Sequence, residues 1–214
     1  MRPSYIRKIN SRNPEPEIIA EAAAIIKQGG VVVFPTRCLY GLGADALDAD
    51  AVGKVFKIKQ RPAENPVLAL IHARRQLDSL VTSISPAAAA IMEVFWPGRV
   101  TLVFEAGPAL PDGLTAHTGK IGVRLVGHPV AAALVSQVGR PITGTSANVS
   151  GRPGCHQVEN LDPAIAEQVD LILDAGILKG GVGSTVVDVT EERPQILREG
   201  QVTAGELWRI LAKI

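Results

Sequence analysis

Hydrophobic and polar positions along this chain switch between two periods. "EIIAEAAAIIKQGG" (17–30) repeats its apolar residues at helical spacing. Asn13-Pro14 supplies a cap and a first-turn proline, and Gly29-Gly30 supplies a stop. "VVVFP" (31–35) is a β-branched run ended by proline, which predicts a buried strand and a turn. Asp50 opens a helix running to about Lys59, and "VLALIH" (67–72) is the next strand. Ser85-Pro86 caps the helix "PAAAAIMEVFW", which "WPG" ends. "VTLVFE" and "IGVRLV" are strands, and "HPVAAALVSQVG" is a helix opened at His128-Pro129 and stopped by glycine. "LILDAG" and "STVVDVT" are strands, and Thr203 with Glu206 forms a capping box for a terminal helix.

Helices and strands interleave, but 100–105 and 121–126 follow each other without a helix between them, as do 185–190 and 196–197. The expectation is therefore an α/β fold with a mixed sheet of parallel and antiparallel strands flanked by helices, in a single domain over 1–214.

Composition narrows this picture modestly. Hydrophobic residues make up 46% and charged residues 20%, as in an ordinary globular core. The net charge of +1 excludes a grossly basic nucleic-acid coat, so any charge-driven binding must come from a local patch. The N-terminal residues lack an apolar leader-like stretch and no window reaches a membrane span, so a cytoplasmic protein without a membrane is expected. Cys38 and Cys155 have no metal-ligand spacing and are expected as free thiols, and the four histidines likewise show no ligand pattern, so no metal site is expected.

Four stretches carry candidate chemistry. Between 54 and 75 six Lys or Arg face one acid, Glu64. Lys59 and Arg61, just before Pro62, suit a polyphosphate, although cations at a helix end also serve as solvated complements to its dipole, and spacing alone favours that second reading. "FPTRCLYGLGADA" (34–46) places Thr36, Tyr40, Gly41 and Gly43 on a loop beyond a strand end, either around a small polar ligand or as a turn with Tyr40 packed inside. Arg124, in an otherwise apolar strand, requires an anion, which is a buried carboxylate or a substrate carboxylate. "TGTSANVSG" (143–151) is small and polar enough for a turn or for a pocket lip. Ser184 opens a strand after a glycine-rich turn, and Arg198 stands at another strand end. Neither "GLTAHTGK" nor "YGLGADA" meets the spacing of a phosphate-binding loop or a dinucleotide fingerprint.

Taken in order, "PTRCLYGLGADA", "KIKQRPAENP", "FWPGRVTLVF", "IGVRLVGHP", "ITGTSANVSG", "GSTVVDVT" and "ILREG" resemble the YrdC-like family of L-threonylcarbamoyladenylate synthases over about 18–200. The resemblance implies a YrdC-like fold that combines L-threonine, bicarbonate and ATP, with Mg²⁺ on the phosphates, into threonylcarbamoyl-AMP and pyrophosphate. It implies use of that product in N6-threonylcarbamoylation of tRNA by a downstream transfer machinery, with weak tRNA contact at most. It further implies Lys59 and Arg61 as a catalytic triphosphate clamp and Ser146, Asn148, Ser184 and Arg198 as nucleotide-site residues. Thr36, Tyr40 and Arg124 fall on the threonine side. The chain departs from the family pattern at Arg37, Cys38, Leu70, where many members carry His, and Arg99. An RNA-binding module, or a relative with altered activity, is the alternative.

Overall fold

The computed structural model describes residues 5–108 and 110–212. In chain order its elements are β1 (Tyr5–Lys8), α1 (Pro16–Lys27), β2 (Val32–Pro35), β3 (Tyr40–Gly43), α2 (Ala49–Lys59), β4 (Leu68–Ile71), α3 (Pro86–Phe95), β5 (Val100–Glu105), α4 (Asp112–Thr115), β6 (Lys120–Leu125), α5 (Pro129–Val138), β7 (Ile142–Ser146), α6 (Pro163–Ala166), β8 (Leu171–Asp174), β9 (Thr185–Asp188), β10 (Gln195–Arg198) and α7 (Ala204–Leu211). The strands join in one sheet of order β1-β8-β2-β3-β7-β4-β6-β5-β9-β10. Pairing is mixed, as the succession of strands in the sequence requires: β4–β6 and β5–β9 are parallel, whereas β5–β6, β3–β7 and β4–β7 are antiparallel. Strand β7 joins the two halves, with Ser146 opposite Gly41 of β3 and Gly144 opposite Leu68 of β4.

Strand alternation sorts the core. Val31 and Val33 enter one apolar cluster with residues of α2 and α6, while Val32 and Phe34 enter another with α1 and α5. In the other half Ala69, Ile71, Val100, Leu102, Phe104, Ile121 and Val123 pack with α3 and α7. Burying each large aliphatic or aromatic side chain there contributes roughly 1.5–3 kcal/mol. The opposite face of this half carries Thr101, Val103, Gly122, Arg124, Val186 and Asp188, and these line a cavity.

Several caps form where the residue types require them. Ser85 Oγ accepts from Ala88 N, His128 accepts from Val130 N, and Thr203 and Glu206 complete the capping box. Two helix starts differ from the sequence expectation. Helix α1 begins at Pro16, because Asn10 Oδ1 accepts from the backbone of Arg12 and Asn13 and holds that segment in a turn. Helix α2 is capped by Asp48, whose carboxylate accepts from Asp50 N and Ala51 N, so Asp50 lies inside the first turn. The predicted loop 36–46 contains a strand instead: after a tight turn, β3 returns against β2 with Pro35 opposite Tyr40. Its glycines fit a close approach, since a Cβ on Gly43 would lie 2.8 Å from Phe34 Cε1. Strand β1 carries no strand signal of its own in the sequence, and its partner β8 is remote along the chain. Among the described residues no helix is long and apolar enough to cross a membrane.

Candidate active site

A cavity of about 540 Å³ opens over the outer faces of β4, β6, β5 and β9, walled by residues of the β2–β3 turn, β7 and the segments flanking β9 and β10. Its volume suits a ligand of cofactor size. One end holds Arg124 and Arg198, whose charges repel each other, and Arg37 and Arg61 also line the cavity.

Arg124 is central to that end. Its Nη1 donates to Ser184 Oγ at 3.0 Å, and that hydroxyl lies 2.8 Å from Thr101 Oγ1. None of the ion pairs among the described residues involves Arg124. Burial, followed by repulsion from Arg198, lowers its pKa to about 10, against a small opposing effect of Cys38. Of the two anions that the sequence left open, the internal carboxylate is therefore absent among the described residues, and an incoming anion would relieve the site. Arg198 Nη2 donates to the Ser184 carbonyl, so both arginines converge on one residue.

The two cations of the KxR element diverge. Lys59, in the last turn of α2, is 1% exposed, and its Nζ donates to the carbonyls of Ser146 at 2.6 Å and Asn148 at 2.8 Å. Ser150 N donates back to the Lys59 carbonyl. Desolvation, then the charge of Arg61, lowers the Lys59 pKa to about 8. Arg61 folds over the following loop, with Nε donating to the Asn65 carbonyl and Nη2 to that of Pro66, while its side chain lines the cavity. Burial lowers its pKa.

Ser146 lines the cavity at the end of β7. Asn148 lies behind it, donating from Nδ2 to the carbonyls of Val149 and Arg152, while its Oδ1 and the Ser150 hydroxyl are buried with no partner among the described residues. "TGTSANVSG" is thus half strand and half lip: Thr143–Ser146 belong to the sheet, and the residues after them form the loop that Lys59 holds. Thr36 reaches the cavity, with Oγ1 donating to the Leu39 carbonyl within the β2–β3 turn. Of the two readings of Tyr40, packing inside holds: the side chain is fully buried in the cluster with α2 and α6, and its hydroxyl donates to the Gly176 carbonyl at 2.8 Å and accepts from Ala175 N at 3.0 Å. Burial is the chief reason that its pKa rises.

Three of the four departures, Arg37, Cys38 and Leu70, lie on the cavity wall, and both cysteines are free. Arg99 instead pairs with Glu206 at 3.2 Å and lies over the Phe95 ring. The basic cluster of 54–75 disperses: Lys54 donates to the Gly29 carbonyl, Lys59 turns inward, and Arg74 pairs with Glu93. Sequence reasoning missed Thr101, Thr118, Lys120 and Asp188 on the cavity wall. A signal existed in the period-two alternation of "VTLVFE", "KIGVRL" and "STVVD", which sets Thr101, Lys120, Arg124, Ser184 and Asp188 opposite the apolar set.

The family described as Sua5_yciO_yrdC, "Telomere recombination", matches residues 24–200. The chain belongs to this family. It is 37% identical to a threonylcarbamoyl-AMP synthase of Pyrococcus abyssi over 193 residues, which is 90% of this chain and 57% of that one. The chain thus spans less than three fifths of the length of that curated relative. Among solved structures, Pyrococcus abyssi Sua5 complexed with L-threonine superposes with a TM-score of 0.91 at 35% identity, covering 99% of this chain and 62% of that one. Escherichia coli YciO superposes with a TM-score of 0.86 at 28% identity, covering 95% and 99%. The Sua5/YciO/YrdC fold thus accounts for the mixed sheet, and the cavity described above is the family member's candidate reaction site.

Proposed function

We propose that the chain condenses L-threonine, bicarbonate and ATP into L-threonylcarbamoyl-AMP with release of pyrophosphate. The observation that carries this reading is Arg124, a guanidinium on the wall of a nucleotide-sized cavity whose hydrogen-bond partner is the neutral hydroxyl of Ser184. Kinship with proteins named threonylcarbamoyl-AMP synthase supports it.

In this reading the threonine carboxylate docks on Arg124, since a planar fork matches two carboxylate oxygens. Thr36 lines the same cavity, and Tyr40 supports the β2–β3 turn from within the core. The threonine ammonium gives one proton to bicarbonate, which breaks down to carbon dioxide and water, and the free amine adds to the carbon dioxide and releases its second proton to solvent, giving a carbamate. A carbamate oxygen then attacks the α-phosphorus while the bond to the β-phosphate oxygen breaks, and pyrophosphate leaves. Arg61 and Arg198 offset charge on the phosphates, and Ser146 and Ser184 offer hydroxyls. Lys59 and Asn148 keep the Ser146 lip in place from behind. Positioning and charge neutralisation are the chain's contributions.

Among the described residues no three His, Cys, Asp or Glu side chains gather to hold a metal. The donor set therefore fits a Mg²⁺ that arrives on the triphosphate and keeps its waters, neutralising phosphate charge, with no protein cage. The product would serve N6-threonylcarbamoylation of tRNA in the cytoplasm through a separate transfer machinery. The dispersal of the 54–75 cations removes the main support for an RNA-tracking surface.

Incubation with ¹³C-bicarbonate, L-threonine and ATP tests the reading. Labelled threonylcarbamoyl-AMP in the mass spectrum is expected, and its absence from folded protein with Mg²⁺ counts against the proposal.

A further inference from the structure

Thr101 belongs to the cavity wall and yet is only 1% exposed, and none of the roles above uses it. Strand β5 sends Val100, Leu102 and Phe104 into the core and turns Thr101 and Val103 to the cavity side. A valine would suit the strand position as well as a threonine, because both are β-branched and of similar volume. The hydroxyl therefore needs a reason of its own, since a buried polar group without a bond destabilises the fold. Its direction follows from the methyl group. A Cβ on Gly122 of β6 would lie 3.4 Å from Thr101 Cγ2, so the methyl faces β6, and Oγ1 reaches toward the β9 side, where Ser184 Oγ lies at 2.8 Å.

Protons and lone pairs at Ser184 give that contact a sense. A serine hydroxyl has one proton and two acceptor sites. One acceptor site takes Arg124 Nη1 at 3.0 Å. Among the described residues Ser184 Oγ is the hydrogen-bond partner of the Thr101 hydroxyl, with no second partner beside it. Donation from Ser184 to Thr101 would leave the Thr101 proton buried without an acceptor, at the full desolvation cost of that group. In the opposite sense Thr101 fills the second acceptor site of Ser184, and the Ser184 proton is left for an occupant of the cavity beside Arg124. Because Arg124 Nη1 and Ser184 Oγ are 3.0 Å apart, the two oxygens of one carboxylate can span both donors. The backbone holds Ser184 in this place: Arg198 Nη2 donates to its carbonyl at 2.9 Å, and Thr185 N donates to the Arg99 carbonyl at 3.1 Å.

We infer that Thr101 is a positioning residue: its hydroxyl donates to Ser184 Oγ and, together with the bond from Arg124, turns the Ser184 proton into the cavity as a fixed donor to the threonine carboxylate. The inference rests on the reading of Arg124 as the dock for that carboxylate. Thr101 touches no substrate in this arrangement and acts entirely through Ser184. Its effect on binding therefore vanishes once the Ser184 hydroxyl is gone, which separates it from a residue that merely packs β5 against its neighbours.

A double-mutant cycle on L-threonine binding, measured by calorimetric titration of the unaltered chain, Thr101→Val, Ser184→Ala and the double variant, tests this without requiring turnover. Ser184→Ala is expected to weaken binding by about ten- to hundredfold, the value of a hydrogen bond to a charged group. Thr101→Val is expected to weaken it by about two- to tenfold, the value of a neutral hydrogen bond. In the Ser184→Ala background Thr101→Val should change nothing further. Thr101→Ser, which restores the hydroxyl in a smaller side chain, should bind as the unaltered chain does. The Thr101→Val and Thr101→Ser arms decide the matter by themselves if Ser184→Ala does not fold. Unaltered affinity in Thr101→Val, an equal loss from it with and without the Ser184 hydroxyl, or a failure of Thr101→Ser to recover binding overturns the inference alone. Absence of threonine binding to the unaltered chain overturns the threonine reading together with it.

Discussion

Arg124 Nη1 donates to Ser184 Oγ at 3.0 Å, which joins the outward cation of β6 that no acid among the described residues neutralises to the residue immediately before β9. A cation so placed lacks the partner that normally justifies its burial. Replacing it with methionine removes an unmatched charge and keeps the stem volume. Arg124→Met should therefore lower threonine affinity by about ten- to hundredfold, the cost of losing a charge-assisted contact, without lowering the unfolding midpoint. Calorimetric titration with threonine and denaturant unfolding check the two halves separately.

Lys59 gives a pH prediction with two opposite signs. Its folded pKa is lowered to about 8 from 10.5, so the ammonium loses its proton in the folded state first. ATP affinity should fall as pH rises through about 8 in the free protein, because a neutral amine neither attracts phosphates nor holds both carbonyls as firmly. Over the window from about 8 to 10.5 the unfolded chain binds this proton more tightly, so the same group makes stability rise with pH. Titrations of Lys59→Met beside the unaltered chain isolate both effects. A difference between the two proteins that is flat in pH across this window contradicts the assignment.

Tyr40 separates fold from binding. Because its hydroxyl is engaged by Ala175 N and the Gly176 carbonyl, Tyr40→Phe should destabilise the fold by about 1–3 kcal/mol through unsatisfied buried groups. Threonine affinity should change little. A large loss of affinity with unchanged unfolding would place the hydroxyl in the substrate site instead.

Gly144 is a packing constraint under the site. A Cβ there would lie 2.5 Å from Leu68 Cδ1 and 2.6 Å from Leu70 Cγ. Gly144→Ala should cost about 1–3 kcal/mol of stability, measurable by denaturant unfolding, as overpacking does elsewhere.

The parts legible in the sequence were those that local chemistry decides. Ser85, His128 and Thr203 cap helices from their own side chains, and "VTLVFE" alternates whatever its neighbours do. Gly41 and Gly43 signal a turn in the sequence, whereas their real reason in β3 is the ring of Phe34 and the backbone of Thr145 across the sheet. Lys59 and Arg61 looked like twins from their spacing. Only the placement of β7 beside the end of α2 reveals that one faces the Ser146 and Asn148 carbonyls while the other covers the 65–66 loop. Lys120 and Asp188 come from strands separated by β5 in the sheet, so their pairing depends on register that no single segment encodes.

The central claim is that this cavity couples threonine to nucleotide chemistry. Pyrophosphate release from ATP, measured with bicarbonate and Mg²⁺ in the presence and absence of L-threonine, tests it most directly. The account predicts release that depends on threonine and collapses in Arg124→Met. Release that is absent from folded protein, or indifferent to threonine, would contradict it.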